Sequence, residues 1–259
     1  MLNDISSILL QWQYDPDDVL VRLIPGDDGR QKIQLRVDLG VLQMEMSGRP
    51  DGLRPEGCES WLDYYEHQQG IHDAAAPDAA AFVLGRDECL RLWHEGIQYY
   101  HRYLSLWHLN LYELCVRDTA RNLRLLSFVQ AHAAEERYKL QFDQWRPYII
   151  MMNTRAVATP LIQQRQYAQG LQTIEAGIDA IRDFLEEYQQ SDRAEECMEL
   201  ASLERWREEI LTSEQEAAAA QPEGVVQILR RKLEAAVAAE EFEEAARLRD
   251  EIRKRMTPS

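Results

Sequence analysis

The chain has 259 residues, of which 45% are apolar, so it can bury a core of ordinary size and carry a smaller appended module. Its formal net charge of −16 argues against sequence-independent nucleic-acid binding by the whole chain, because that affinity comes chiefly from Lys and Arg side chains that neutralise phosphates. The four cysteines are scattered without a CxxC pair, so the sequence indicates neither a disulfide framework nor a zinc ribbon, and we expect reduced thiols.

The sequence contains no recognisable targeting or membrane-spanning segment. Its first residues lack both the basic flank and the small-residue cleavage site of a signal peptide, and no run of about 18 or more apolar residues occurs. We therefore expect a cytoplasmic protein that makes no contact with a membrane.

The first predicted structure is a small β-hairpin in an N-terminal region of residues 1–57. Residues 19–24 and 32–46 are rich in β-branched and alternating apolar residues, and residues 25–29 between them form a strong turn signal, Pro-Gly-Asp-Asp-Gly. In the second run the apolar residues change parity at Gly40, which predicts a bulge or a strand break there.

Two turns of the same kind follow this second strand directly. Arg49-Pro-Asp-Gly52 and Arg54-Pro-Glu-Gly57 both have the pattern Arg-Pro-acid-Gly. One interpretation is a rigid ligand loop that presents Arg49 and Arg54 to an acidic or phosphorylated ligand. The alternative is a connector in which the prolines and glycines only set the turn geometry.

From residue 58 to residue 221 the sequence predicts a helical domain. Pro77 and Gly85 predict a break in the helix between the first two segments. The spacing of Ala158, Tyr167 and Gly170 is typical of a tetratricopeptide repeat, although a simple, closely packed helical pair would show the same pattern. The predicted helices are 58–70, 87–116, 117–143, 145–165, 168–189 and 192–220.

The histidines occur in two patterns that we consider first as candidate metal-binding sites. Three of them follow aromatic residues at a seven-residue period, which places successive histidines about 10 Å apart, too far for one metal ion. We interpret the aromatic residues as a helix packing seam. His132 and Glu135 lack matching ligands on a second helix, so they too predict no metal site. The three pairs are Trp93-His94, Tyr100-His101 and Trp107-His108.

Motifs of common enzymes are absent from the sequence. It has no Gly-x-Ser-x-Gly elbow, no P-loop, no HExxH and no GxGxxG after a strand. We therefore expect a non-enzymatic protein that uses no cofactor and no metal ion. An enzymatic alternative would place a ligand between the β-hairpin and Arg49 or Arg54.

The C-terminal region, residues 222–259, differs in charge from the segment before it. Residues 186–223 contain 12 acidic and 3 basic residues, whereas residues 224–256 contain 7 acidic and 8 basic residues. Pro222-Glu-Gly224 ends the acidic helix, and apolar residues then recur on one face of each of two helices. The predicted fold is therefore mainly α, and it ends in an antiparallel helical hairpin too small to be stable without a partner.

The run from Leu233 to Ile252 resembles the UVR motif, the short helical hairpin shared by the UvrB and UvrC subunits of bacterial nucleotide excision repair and also found in Clp ATPases and their adaptors. The region from Lys32 to Gly57, together with the helices, is similar to bacterial proteins in which a UVR motif ends a helical chain. Because this hairpin mediates protein–protein contact in that family, the resemblance implies a docking role. The matching residues are Ala236, Phe242, Glu243, Ala245, Ala246, Arg249 and Asp250.

The resemblance also implies which residues would contact the partner. Phe242 is the candidate apolar anchor, and Arg249 and Asp250 are candidate orienting charges, unless they only form a salt link within the hairpin. Because helicase motifs and a nuclease domain are missing, we expect the chain to be neither of the repair subunits. Its hairpin and its acidic charge lead us to expect an adaptor that binds protein and does not contact nucleic acid directly. The alternative is an accessory factor of nucleotide excision repair that binds a repair subunit or DNA. The candidate partner-binding residues are Leu233, Val237, Phe242, Glu243, Ala246, Arg249 and Asp250.

Overall fold

The structure is a computed structural model, and it describes residues 4–75, 80–220, 225–239 and 241–256. The predicted fold class is confirmed: the described residues are mostly helical, a small antiparallel sheet lies near the N-terminus, and the last two helices pack together as a hairpin. The chain forms two compact units, Met1–Arg207 and Glu208–Ser259.

The bounds of the elements are as follows. The strands are β1 (Val21–Pro25), β2 (Gln31–Val37) and β3 (Gly40–Glu45). The helices are α1 (Ser6–Gln11), α2 (Trp61–Ala75), α3 (Arg86–His108), α4 (Tyr112–His132), α5 (Glu136–Asp143), α6 (Arg146–Gln163), α7 (Tyr167–Glu187), α8 (Met198–Ala220), α9 (Val225–Ala238) and α10 (Phe242–Met256). The predicted helix breaks at Pro77 and at Pro222-Glu-Gly224 lie outside the described residues.

The N-terminal sheet has three antiparallel strands in the order β1, β2, β3, one more than the predicted hairpin. The predicted second strand, 32–46, is in fact two strands, because the chain turns at Asp38 and Leu39 so that Val37 pairs with Gly40. The strand break predicted at Gly40 is therefore confirmed, and Gly40 begins β3.

The sheet and the helices share one core. Ile33 and Leu35 of β2 and Met44 of β3 are buried against side chains of α3, α4 and α6. Hydrophobic burial on this face therefore fixes the sheet, and the loop that follows β3, against the helical body. The helical residues of this core are Tyr103, Leu106, Cys115, Met152 and Ala156.

Several predicted helix boundaries differ from the structure, and two of the differences are large. The first break comes after His108, and not at residue 116, because Asn110 adopts a left-handed backbone conformation with φ of 57°. The N–H of Leu111 then donates to the carbonyl of Leu106 at 2.9 Å, the bond that closes a Schellman motif.

The predicted helix 117–143 is also interrupted, after His132, by a contact with a distant segment. The N–H of Leu84 donates to the carbonyl of His132 at 2.8 Å, and the N–H of Ala134 donates to the carbonyl of Leu84 at 3.0 Å. These bonds form an isolated parallel bridge between Leu84 and Ala133, so the backbone at this point pairs outside the helix.

The predicted close approach of two helices is confirmed for α6 and α7. A Cβ atom at Gly170 would lie 3.0 Å from Ile162 Cγ1, and one at Gly177 would lie 2.7 Å from Thr154 Cγ2. Ala158 of α6 is fully buried. The small residues thus let the helices pack more closely than larger side chains would allow.

Candidate protein-docking surface

The C-terminal hairpin consists of two amphipathic helices with their apolar stripes facing each other. The N–H of Glu241 donates to the carbonyl of Ala236 at 2.8 Å, which closes the turn between α9 and α10. Leu233 is partly buried against the same core. The buried residues are Leu229 and Ala236 of α9, together with Ala245, Leu248 and Ile252 of α10.

The spacing of the buried residues explains this packing. Ala245, Leu248 and Ile252 are three and four residues apart, so they form one stripe along α10. Small side chains at Ala236 and Ala245 allow the two helices to approach closely. The hairpin therefore uses this stripe for its own folding, and the stripe is not exposed to other molecules.

Two of the predicted partner-binding residues are large, apolar and exposed. Phe242 is 69% exposed and Val237 is 53% exposed. Phe242 is the first residue of α10 and Val237 lies near the end of α9, so both flank the turn of the hairpin. Complete burial of an aromatic side chain of this size contributes roughly 1.5–3 kcal/mol of favourable free energy.

The remaining predicted residues of α10 follow Phe242 along the helix, and all of them are exposed. Phe242, Ala246 and Arg249 are four and three residues apart, so they form a second stripe, distinct from the buried one. Glu243 and Ala246 are exposed. By contrast, Leu233 belongs mainly to the hairpin core, so the structure separates it from the exposed candidates.

Arg249 and Asp250 pair with each other within the hairpin. Arg249 Nη2 lies 3.2 Å from Asp250 Oδ1, and the two side chains are 66% and 60% exposed. An ion pair this exposed contributes only about 0–1 kcal/mol to stability. Both groups can therefore exchange this link for contacts with a partner at little cost.

The predicted ligand loop places its two arginines in different surroundings. Arg49 is almost buried: its Nη2 lies 3.0 Å from Asp51 Oδ2 and its Nε lies 3.6 Å from the carboxylate of Glu95. Arg54 is exposed, and its Nη2 donates to the carbonyl of Gly57 at 3.5 Å. These contacts of the described residues do not bring the two guanidinium groups to a common partner.

A buried carboxylate fixes Arg49 to the start of α2. Glu95 is fully buried and accepts hydrogen bonds from the backbone N–H groups of Trp61, at 2.7 Å, and Leu62, at 3.2 Å. It also forms an ion pair with Arg121. Glu95 therefore satisfies N–H donors that the first turn of a helix leaves unpaired, and sequence alone gave no sign of this role.

A second buried pair holds the segment between β3 and Arg49. Arg102 forms a bidentate ion pair with Asp118, at 2.6 Å and 3.0 Å, and both side chains are 1% exposed. The Nη1 of Arg102 also donates to the carbonyls of Glu45, at 3.1 Å, and Gly48, at 2.8 Å. The loop is thus anchored to α3 and α4 by charged groups.

The aromatic residues of the seven-residue repeat form a packing seam, as predicted. Trp93 packs against Phe142, Tyr100 against Tyr103, and Trp107 against Tyr112, with ring centroids 5.2–5.6 Å apart. Their histidine neighbours differ in exposure. His94 and His108 are exposed, whereas His101 is half-buried, and burial lowers the pKa of its imidazole.

Comparison with known protein families identifies the C-terminal hairpin as a known motif. Residues 225–254 match the family model of the UvrB/uvrC motif. The hairpin of α9 and α10 is a UVR motif. The resemblance inferred from its sequence is thereby confirmed, and the match spans these two helices alone. No curated protein and no solved structure matches the chain.

Among the helices in the described ranges, none is both long enough and apolar enough to cross a membrane.

Proposed function

We propose that this chain is a non-enzymatic cytoplasmic adaptor whose UVR hairpin docks to a protein partner. The observation that carries the proposal is the exposure of Phe242 on a hairpin whose own core is already filled by other residues. UVR motifs occur in protein-interaction and DNA-repair contexts, so the family assignment is consistent with this role.

The geometry suggests how docking would work. Phe242, with Val237 on the other helix that flanks the turn, would fill an apolar pocket of the partner, since buried aromatic anchors dominate the energy of most interfaces. Glu243, Arg249 and Asp250 would form a polar rim that sets orientation and association rate more than affinity.

An adaptor needs a second contact, and the loop after β3 is our candidate for it. Arg54 is exposed and would face an acidic or phosphorylated ligand. Arg49, held by Asp51 and Glu95, would fix the shape of the loop. Arg54→Ala tests this contact: ligand-dependent thermal stabilisation that persists in the variant would exclude a role for Arg54.

Capture of partners from the native cell tests the docking role. The full chain is compared with a chain truncated at Glu223, which lacks the whole UVR hairpin. We expect the truncated chain to lose one or more partners that the full chain retains. Tryptophan fluorescence checks that Met1–Arg207 remains folded, since all six tryptophans lie at or before Trp206. An unchanged partner list would exclude docking through the hairpin.

An accessory role in DNA repair is the second candidate function. It is supported by the UVR motif itself and by an exposed basic run on α9, Arg230-Arg231-Lys232. Contacts between these residues and phosphates would make duplex binding salt-sensitive. Measurable binding of the full chain to duplex or damaged DNA at low salt would favour this function, whereas the adaptor proposal predicts no such binding.

A further inference from the structure

The helical body contains an aromatic cavity that the docking role does not use. It has a volume of about 280 Å³ and lies between α3, α4, α5 and the start of α6. Trp93 and Tyr100 of the aromatic seam form part of its wall, and Phe142 and Leu125 face them. We refer to this space as the aromatic cavity.

The aromatic cavity is open to solvent on one side. Ile97 and Trp145 belong to its lining and are 37% and 49% exposed. Because both side chains line the cavity and are also in contact with solvent, we place the entrance of the cavity between them.

The lining excludes charged ligands. None of the residues that form its wall is Asp, Glu, Lys or Arg. The amide of Asn122 is already engaged, since it donates to the carbonyl of Gly96 at 3.0 Å and accepts from Arg121 at 3.1 Å. Burial lowers the pKa of the His101 imidazole, so its charged form is disfavoured. A charge placed here would lose hydration without gaining a counter-charge.

Gly96 provides an independent indication that the space is kept open. It lies in the middle of the 23-residue helix α3, where glycine is less favourable than alanine. A Cβ atom there would meet only Leu125 Cδ2, at an ordinary 3.9 Å, so packing does not require glycine. Gly177 of α7 is different, because a Cβ atom there would clash with Thr154. A glycine without a packing reason at a cavity wall is typical of a site where a ligand approaches the backbone closely.

The volume sets the size of the ligand. A cavity of roughly 150 Å³ lined by apolar side chains takes up benzene. The aromatic cavity, at about 280 Å³, is nearly twice as large, which suits two fused rings. Its ring edges and faces favour a planar aromatic guest, since aromatic groups pack edge to face or offset-stacked.

We propose that the aromatic cavity binds an uncharged, planar, two-ring aromatic molecule, for which indole is the probe. This site is separate from the docking role of the UVR hairpin, and it gives the helical body of the chain a ligand-binding function.

Titration calorimetry of the full chain with indole tests the proposal. We expect saturable binding with a negative heat-capacity change and a rise in Tm as indole is added. Gly96→Leu, which fills the space, is expected to weaken indole binding by about tenfold or more. Gly96→Ala is the milder variant: it should raise the Tm of the ligand-free chain and still weaken binding, because helix propensity improves while the cavity shrinks.

Gly70→Ala is the matched control, because Gly70 is a glycine inside α2 whose Cβ position is open and which is not part of the cavity wall. It should raise Tm without changing the affinity for indole. Absence of saturable indole binding to the wild-type chain would overturn the proposal. So would indole binding of equal strength in wild type and Gly96→Ala, a variant whose added Cβ fits without a clash.

Discussion

Removal of the negative charge of Asp118 is expected to destabilise the unit Met1–Arg207 strongly. Asp118 accepts two hydrogen bonds from Arg102, at 2.6 Å and 3.0 Å, and both side chains are 1% exposed. In Asp118→Asn the guanidinium group stays buried without its counter-charge. Losing one partner of such a pair costs roughly 3–5 kcal/mol, and we expect the free energy of unfolding to fall by that amount.

The reverse variant, Arg102→Met, is expected to lower the free energy of unfolding further than Asp118→Asn does. It leaves the carboxylate of Asp118 buried with only the partly exposed Arg117 as its counter-charge, and it also removes the hydrogen bonds to the carbonyls of Glu45 and Gly48. Hydrogen bonds from a charged donor contribute roughly 1.5–3 kcal/mol each. The double variant Arg102→Met/Asp118→Leu removes both charges and should recover part of the loss. It should stay roughly 2 kcal/mol below wild type, because the carbonyls of Glu45 and Gly48 lose their charged donor and Gly48 keeps only the hydrogen bond from the Tyr99 hydroxyl.

Urea unfolding followed by tryptophan fluorescence measures these differences. All six tryptophans lie at or before Trp206, so the signal reports the unit Met1–Arg207. Two results would refute the reasoning. One is an Asp118→Asn variant within about 1 kcal/mol of wild type, the range of an exposed ion pair. The other is a double variant as stable as wild type, which would show that Arg102 does not anchor the loop after β3.

Three further predictions concern stability. Gly177→Ala should cost about 1–3 kcal/mol because its Cβ atom clashes with Thr154, whereas Gly70→Ala should gain about 0.5–1 kcal/mol in urea unfolding. Arg165→Gly should stabilise by about 1 kcal/mol, since Arg165 holds φ at 60° after α6. Burial raises the pKa of Cys89 from 9.0 to about 11, so the unfolded thiol loses its proton first and stability falls between these pH values. Cys89→Ala should reduce that alkaline fall, measured by urea unfolding at pH 8 and pH 11, by up to about 3 kcal/mol.

Each of these predictions has a contrary outcome. Equal stability changes in Gly177→Ala and Gly70→Ala would contradict the close contact of α6 and α7. A loss of stability in Arg165→Gly would contradict the left-handed conformation at that position. An alkaline fall that is identical in wild type and Cys89→Ala would show that the Cys89 thiol is not the group whose proton is lost.

The helical class and the UVR hairpin could be predicted because their signals are local. Apolar residues such as Ala245, Leu248 and Ile252 recur at helical spacing, and this spacing alone determines which face is buried. Gly40 likewise revealed the strand break, although the third strand was missed because Asp38 and Leu39 form no strong turn signature.

The features that were missed depend on contacts between distant residues. Nothing near Ala133 in the sequence shows that Leu84 will pair with it and end α4. The partner of Arg49, Glu95, is equally distant, so the sequence suggested an exposed ligand-facing side chain where the structure has one that is almost buried. The aromatic cavity depends on four helices and has no linear motif.

The docking role of the UVR hairpin is tested most directly by the affinity of a captured partner for the full chain carrying Phe242→Ala. Leu39→Ala is the matched control, because Leu39 is 86% exposed and lies in the turn between β2 and β3. An aromatic anchor at the centre of an interface contributes about 2 kcal/mol or more, so Phe242→Ala should weaken binding roughly 30-fold while Leu39→Ala leaves it unchanged. Equal affinities of wild type and Phe242→Ala, with the helix content unchanged by circular dichroism, would contradict docking through Phe242.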